Sequence, residues 1–268
     1  MRVWSAHPVR LALGAFLSDI LLELDDVGVR FGGLKAVDGV SLGVKQGERR
    51  AVIGPNGAGK TTLFNAVTGV VRPTAGRIRF GGRDVTRAPP HRRAALGMSR
   101  TFQITNLFPT LTVAQNMEIA LRGLGSRKFS FLGSSALTTE ERRRAEQALG
   151  LSRLGPRAQA LVKELSYGEQ RQLELAMTLA TDPTLLLLDE PAAGLSPTER
   201  VIVADIIRAL PPSITIVLIE HDMDLVLSLV DWVTCLNNGR FLAEGSPGAI
   251  RENADVQDVY LGRARHHA

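Results

Sequence analysis

Two periods alternate along the chain, and the alternation predicts a layered fold. Ile20 to Val29 places apolar and polar residues at every second position, as a strand with one buried face does. Phe31-Gly32-Gly33 makes a turn, and Ala36 to Val44 supplies another strand before the Gln46-Gly47 turn. Arg50 to Ile53 reads as a short buried strand and Thr61 to Thr68 as a helix. After a turn at Pro73 to Gly76, Arg77 to Phe80 and Arg83 to Val85 form a hairpin around Gly81-Gly82. Pro89 to Leu96 is a short basic helix, and Met98 to Gln103 returns as a strand.

From Thr112 the texture changes. Val113 to Leu121 has helical spacing, Gly123 to Thr138 is rich in Gly and Ser without a clear period, and Thr139 to Leu149 is a charged helix. The cluster Glu140 to Arg144 reads as a solvated face with i,i+3 and i,i+4 pairs. This stretch predicts a helical insertion ending near Ser166. Ser166 to Ala180 is then a long helix, and Leu185 to Asp189 a fully apolar strand of the kind buried in a parallel sheet. Thr198 to Leu210 is helix, Ile214 to Glu220 strand, Asp222 to Val230 helix, and Val233 to Cys235 with Arg240 to Ala243 a last hairpin. The βαβ alternation makes the chain α/β with a parallel core.

The turn after the Arg50 strand carries the chemistry. Gly54-Pro55-Asn56-Gly57-Ala58-Gly59-Lys60-Thr61-Thr62 fits G-x-x-x-x-G-K-[ST] in full, between a strand and a helix. Its glycines let backbone N–H groups wrap an anion, and the helix adds its positive end. Lys60 reaches the outer phosphates, and the Thr61 hydroxyl can hold Mg²⁺. A bound nucleoside triphosphate is the expectation.

Asp189-Glu190 ends the apolar strand, and ligands of parallel sheets lie beyond the strands' carboxyl ends. Asp189 would hold Mg²⁺ through water, and Glu190 would take a proton from the attacking water. His221 follows a second parallel strand, where its ring could meet a γ-phosphate; a lone histidine there is usually a helix cap. Ser166, with Gly168 two residues on, offers an anion a hydroxyl, N–H groups and a helix dipole. Taken alone, the plain N-cap with its Glu169 capping box is the better reading of Ser166. Gln103, at a strand end before the insertion, means nothing by itself.

Composition narrows the class. At 268 residues the chain suits one large domain, or one with a subdomain, and 44% apolar with 22% charged residues is ordinary for a globular protein. The net charge of +5 comes without a dense basic run interleaved with aromatics, so nucleic acid is not an expected partner. A single cysteine, Cys235, excludes an internal disulfide and reads as a buried strand residue in a reducing compartment. The most apolar stretch, Leu11 to Leu24, is broken by Asp19 and Glu23 and cannot span a bilayer. Residues 1–18 read as an N-terminal extension rather than a cleaved leader.

In their order, the phosphate loop at Gly54 to Thr61, Gln103, Leu165 to Glu169, Asp189-Glu190 and His221 resemble the ATPase subunits of ABC transporters. The resemblance covers Ile20 to Gly262. It implies a phosphate-loop NTPase core with a parallel sheet, an antiparallel β subdomain and an α-helical subdomain inserted over about 112–165. The ATPase domain would span 19–262, followed by a tail at 263–268. The resemblance also implies hydrolysis of ATP by Glu190, His221 and Lys60, with Mg²⁺ at Thr61, Gln103 and Asp189. Phe31 matches the aromatic that stacks on adenine. Two such subunits face head to tail in the family, so Ser166 and Gly168 would contact the partner's ATP in trans.

Some positions depart from the family pattern. Tyr167 replaces the first glycine of the LSGGQ signature, Glu169 its glutamine, Ser196 a common aspartate and Met177 a common arginine. None removes a residue assigned to chemistry. Phe31 to Leu34, Arg100-Thr101-Phe102-Gln103, Leu107 to Pro109, Pro191 to Leu195 and the tail Asp255 to Gly262 look like the branched-chain amino-acid importer ATPases. That group works on two membrane permease subunits at the cytoplasmic face of the inner membrane, with a substrate-binding protein and a second, related ATPase. A cleft near Gln103 to Pro109 would receive the permease. Rival readings are the ATPase of a urea, short-amide or lipopolysaccharide transporter, and a soluble ABC ATPase without a membrane partner. The latter commonly carries two cassettes or a coiled coil, and neither is present here.

Overall fold

The structure, a computed structural model, describes residues 19–101, 107–124 and 137–261. The alternating stretch at the start becomes β1 (Ile20–Phe31), which pairs antiparallel with β2 (Leu34–Lys45). Its inward set, Leu22, Leu24, Val27 and Val29, is buried together with Val37, Val40 and Val44 of β2. After β3 (Arg49–Ile53) and α1 (Lys60–Thr68), the hairpin of β4 (Ala75–Phe80) and β5 (Arg83–Asp84) returns to β1. The result is an antiparallel sheet of order β2-β1-β4-β5.

Short α2 (Pro90–Ala95) leads into β6 (Met98–Arg100). Arg93 of α2 is buried, and its guanidinium donates to the carbonyls of Ala66 at 2.7 Å and Ala88 at 2.9 Å. It thereby serves carbonyls at the end of α1, where a cation is favoured, while burial lowers its pKa to about 10. Helices α3 (Val113–Leu124) and α4 (Thr139–Leu151) follow, then two 3₁₀ turns at Gly155–Arg157 and Val162–Glu164 and α5 (Tyr167–Leu179). The remaining elements are β7 (Leu185–Asp189), α6 (Pro197–Ala209), β8 (Thr215–Ile219), α7 (Met223–Leu227), β9 (Trp232–Asn237) and β10 (Arg240–Gly245). Two helices close the described chain, α8 (Pro247–Glu252) and α9 (Ala254–Leu261).

The second sheet has the order β10-β9-β3-β8-β7-β6, and only β10 runs antiparallel to its neighbour. Its strands separate two hydrophobic layers by side-chain alternation. Leu186 and Leu188, with Ile216 and Leu218, pack against the helices α3 to α6; Leu185 and Leu187, with Val217 and Ile219, pack toward α1 and the antiparallel sheet. This two-sided burial is why β7 reads as continuous leucine. Fully burying each leucine contributes roughly 1.5–3 kcal/mol, so the strand anchors both layers. Parallel pairing brings the carboxyl ends of β3, β7 and β8 to one edge of the sheet.

The expected helix over Asp222 to Val230 is shorter, ending at Leu227. Ser228-Leu229-Val230 leads instead into the edge where Asp231 meets β3, its backbone N–H donating to Arg49 O at 2.8 Å. The strand from Met98 is described to Arg100, and Gln103 lies outside the described residues. Helices α8 and α9 were not anticipated, although Ser246 before Pro247 is a legible start signal. In the helical insertion, Val113, Met117 and Leu121 of α3 and Ala148 of α4 join the same hydrophobic cluster as Leu173 and Ala176 of α5.

Candidate functional site

β3 feeds the phosphate loop at the centre of the parallel sheet. Two glycines in it have no substitute. A Cβ on Gly54, at φ 148°, would lie 2.2 Å from Leu236 O, and one on Gly59, at φ 95°, would lie 2.4 Å from Ala36 O. The loop is thus pressed against β9 on one side and β2 on the other. Lys60 opens α1, and its Nζ donates to Gly54 O at 2.7 Å and Pro55 O at 3.0 Å, so it spans the loop it belongs to. Burial lowers the pKa of Lys60, while the charges of Glu190, Cys235 and Asp189 oppose that shift. Such a lysine is poised to exchange carbonyl partners for phosphate oxygens.

Asn56 to Thr62 line a cavity of about 480 Å³ together with Leu34, Lys35, Ala36, Glu190, His221 and Asn238. Phe31 is half exposed and not among the lining residues, but it pairs across its turn with Leu34, which is. Opposite the loop, Glu190 adopts a left-handed backbone conformation at φ 49°, with its N–H bonded to Ile219 O at 2.9 Å. A non-glycine residue held there costs of order 1–3 kcal/mol and marks functional sites. The turn sends the Glu190 carboxylate to His221, with Oε1 and Nε2 2.6 Å apart.

Glu220 braces the backbone beside this pair. It is buried, and its two oxygens accept from Ala192 N–H at 2.8 Å and His221 N–H at 3.0 Å. Nothing in the sequence distinguished it from the end of a strand.

Asp189 is buried, is not among the residues lining this cavity, and forms an ion pair with Arg100 at the end of β6. The other arm of Arg100 donates to Asn65 Oδ1 at 2.6 Å. Asn65 lies one turn beyond Thr61 on α1, so Arg100 joins the strand-end aspartate to the phosphate-loop helix. Among the described residues no group of three or more His, Cys, Asp or Glu could hold a metal ion alone. Magnesium binds through one or two oxygen side chains plus phosphates and water, and the Asp189 carboxylate and exposed Thr61 hydroxyl fit that donor set. Gln103, the third expected ligand, lies outside the described residues.

Gly54 N–H donates to the phenol oxygen of Tyr260 at 2.7 Å, tying the last helix to the first residue of the loop. Burial raises the Tyr260 phenol to about 12 and the thiol of Cys235, on β9 below the loop, to about 11.

Ser166 and Gly168 are not among the residues lining this cavity. Ser166 caps α5, and the capping box with Glu169 is present: Ser166 N–H donates to Glu169 at 2.9 Å, and Glu169 N–H to Ser166 Oγ at 3.1 Å. The structure thus shows the capping-box reading of Ser166. Tyr167 is exposed, its ring 5.3 Å below the Arg171 guanidinium, which also donates to its hydroxyl at 2.9 Å. A second cavity, of about 330 Å³, opens between the sheet and the insertion, lined by Val70, Met98, Arg100, Leu107, Ala120 and Met177 among others.

A glycine-built loop in a parallel sheet, facing acidic strand ends and carrying an antiparallel sheet alongside, makes this molecule an ATP-binding cassette with a phosphate-loop core. It belongs to the ABC transporter family, whose family model matches residues 37–193. A second model, described as branched-chain amino acid ATP-binding cassette transporter, matches residues 242–266. BraF of Pseudomonas aeruginosa, a high-affinity branched-chain amino acid transport ATP-binding protein, is 41% identical over 258 residues, which cover 92% of this chain and 100% of BraF. The solved ADP conformation of an ATP-binding cassette of an ABC transporter is 28% identical with a TM-score of 0.80, covering 91% of this chain and 99% of its own. A dimeric bacterial ABC transporter cassette is 25% identical with a TM-score of 0.70, covering 85% of this chain and 99% of its own.

Proposed function

We propose that this chain is the ATP-hydrolysing subunit of an importer of branched-chain amino acids. It would sit peripherally at the cytoplasmic face of the membrane on two permease subunits, paired with a related second ATPase and served by a substrate-binding protein. The observation that carries the hydrolytic part is the Glu190–His221 pair, 2.6 Å apart on the wall opposite the phosphate loop. The amino-acid part rests on the full-length similarity to BraF and on the second family model at residues 242–266. No helix among the described residues is long and apolar enough to cross a membrane. The cavity between sheet and insertion is the place for that permease to dock.

The residues divide the work as follows. Phe31 stacks on the adenine, and the N–H groups of the loop with Lys60 hold the phosphates. Thr61 and Asp189, with Gln103, would hold Mg²⁺, which screens the charge of the β- and γ-phosphates. Glu190 accepts a proton from water as its oxygen attacks the γ-phosphorus; the bond to the bridging oxygen breaks and ADP leaves. His221 holds the Glu190 carboxylate in line and presents its ring to the γ-phosphate. Ser166 and Gly168, absent from this cavity, serve the nucleotide of a second subunit.

Glu190→Gln tests the hydrolytic reading: it should bind ATP, turn over about 10²–10⁴-fold more slowly, and accumulate an ATP-bound dimer visible in sedimentation. Adding Ser166→Arg should dissolve that dimer. Turnover within threefold of the parent removes Glu190 as base, and an unaffected dimer removes the trans role of Ser166. For the substrate, cells lacking the chain should lose uptake of labelled leucine, isoleucine and valine; loss of urea uptake instead would overturn that part.

A further inference from the structure

Glu199 lies in the first turn of α6 and faces the start of α5. Its Oε1 accepts from Gly168 N–H at 3.0 Å and from Ser166 Oγ at 3.4 Å. Its Oε2 accepts from Ser196 Oγ at 2.7 Å and Ser196 N–H at 3.0 Å. One carboxylate oxygen thus sits where the two donors of the signature helix converge. The approach is close: a Cβ on Gly168 would lie 2.4 Å from Oε1. The hydroxyl and N–H of Ser196, then the N–H of Gly168 and the hydroxyl of Ser166, hold the Glu199 carboxyl below the usual glutamate range.

The two donors that Glu199 occupies are those assigned above to the γ-phosphate of a partner subunit's ATP, and the inference rests on that reading. One site cannot hold two anions. We propose that Glu199 is a positioning residue that stands in for a γ-phosphate oxygen in the lone subunit: it keeps the Ser166 hydroxyl and Gly168 N–H aimed at one point, and must withdraw before the nucleotide of a second copy can dock. A carboxylate is favoured at a helix N-terminus, as a phosphate is, so the two compete for the same dipole and the same N–H. Closure of the dimer then becomes an exchange of anions on a site already shaped for one.

The serine at 196 belongs to the same device. An aspartate there would set a second carboxylate against Glu199 Oε2, whose partner is now a hydroxyl at 2.7 Å. Ser196 instead anchors Glu199 through a neutral donor. The departure at Ser196 and the seating of Glu199 on α5 therefore go together, and they give this chain a counter-anion that an aspartate would drive away.

Glu199→Gln removes the negative charge while its amide oxygen, placed where Oε1 lies, still accepts from Gly168 and Ser166, and its NH2 donates to Ser196 Oγ, at the loss of the bond from Ser196 N–H. The full chain carrying Glu190→Gln, alone and with Glu199→Gln, is sedimented over a series of ATP concentrations, with thermal melts to establish that both are folded. Loss of the competing charge should lower the ATP concentration for half-maximal dimer by about tenfold, the scale of a close like-charge contact at a surface. A purely structural Glu199 predicts an unchanged or weaker dimer. In ADP, which lacks the γ-phosphate, neither protein should dimerise.

A half-point within twofold of the parent, or a raised one, overturns the proposal, as does a dimer that Glu199→Gln forms in ADP. Ser166→Arg in the same background distinguishes the two levels. If it abolishes the dimer while Glu199→Gln has no effect, only the stand-in role fails. If it leaves the dimer intact, or if the parent forms none, the shared site fails and the proposal falls with it.

Discussion

Replacing Arg100 by alanine removes the cation from a carboxylate that has almost no access to water. The Asp189 side chain is 1% exposed and that of Arg100 10%. Breaking a buried pair by deleting one partner costs about 3–5 kcal/mol, because the other charge stays buried without compensation. The same change removes the bond to Asn65 and the packing of the guanidinium 5.8 Å from the Phe64 ring centroid. In a chain of this size each kcal/mol moves the unfolding midpoint by about 2–4 °C, so Arg100→Ala should lower it by about 6–20 °C.

The assay is a circular-dichroism melt in chelator without nucleotide, then with ATP and Mg²⁺. A metal ion beside Asp189 replaces the missing cation, so nucleotide with Mg²⁺ should narrow the gap to the parent and nucleotide in chelator should not. Arg100→Leu combined with Asp189→Leu replaces the pair by apolar groups and should recover most of the loss. A drop below about 2 °C refutes the reasoning, since a buried unpaired charge would move the midpoint further. So does a double variant whose loss equals the sum of the single losses, because that would mean the two residues do not interact.

Phe31, beside the cavity-lining Leu34, gives a binding prediction: Phe31→Ala should weaken ATP by roughly 1–3 kcal/mol, the range for base–aromatic stacking, and Phe31→Trp should restore it; fluorescence titration with unchanged affinity in the alanine variant would make Phe31 a turn residue only. At high pH, Cys235 and Tyr260 keep protons that the unfolded chain releases, since burial raises them from 9.0 to about 11 and from 10.0 to about 12. Stability from these groups is present below pH 9 and is lost as the pH rises toward 12. Urea unfolding from pH 8 to 11 should show this slope flattened in Cys235→Ala with Tyr260→Phe, and an equal slope in both proteins would refute it.

Much of this molecule was readable because its chemistry is local. The phosphate loop is one uninterrupted run whose glycines are required by close approach of the chain to Leu236 and Ala36, and a run can be read without knowing what it approaches. Glu190 and His221 were legible for a similar reason: each stands just past an apolar strand, and parallel pairing brings such ends to one edge. The alternation in β1 and the leucines of β7 announced half-buried and fully buried strands, because side-chain direction repeats every two residues.

The partners that hold these groups were decided by the tertiary structure alone. Arg100 reaches Asp189 across 89 positions, Glu220 reaches Ala192 across 28, Glu199 reaches Gly168 across 31, and Tyr260 reaches Gly54 across 206. No spacing or period in the sequence says which residue each of them meets. The sequence states which residues can do chemistry, since that depends on side-chain type and on the backbone immediately around it. Which charge faces which is a property of packing: it exists only once β6 lies beside β7 and α6 lies against α5.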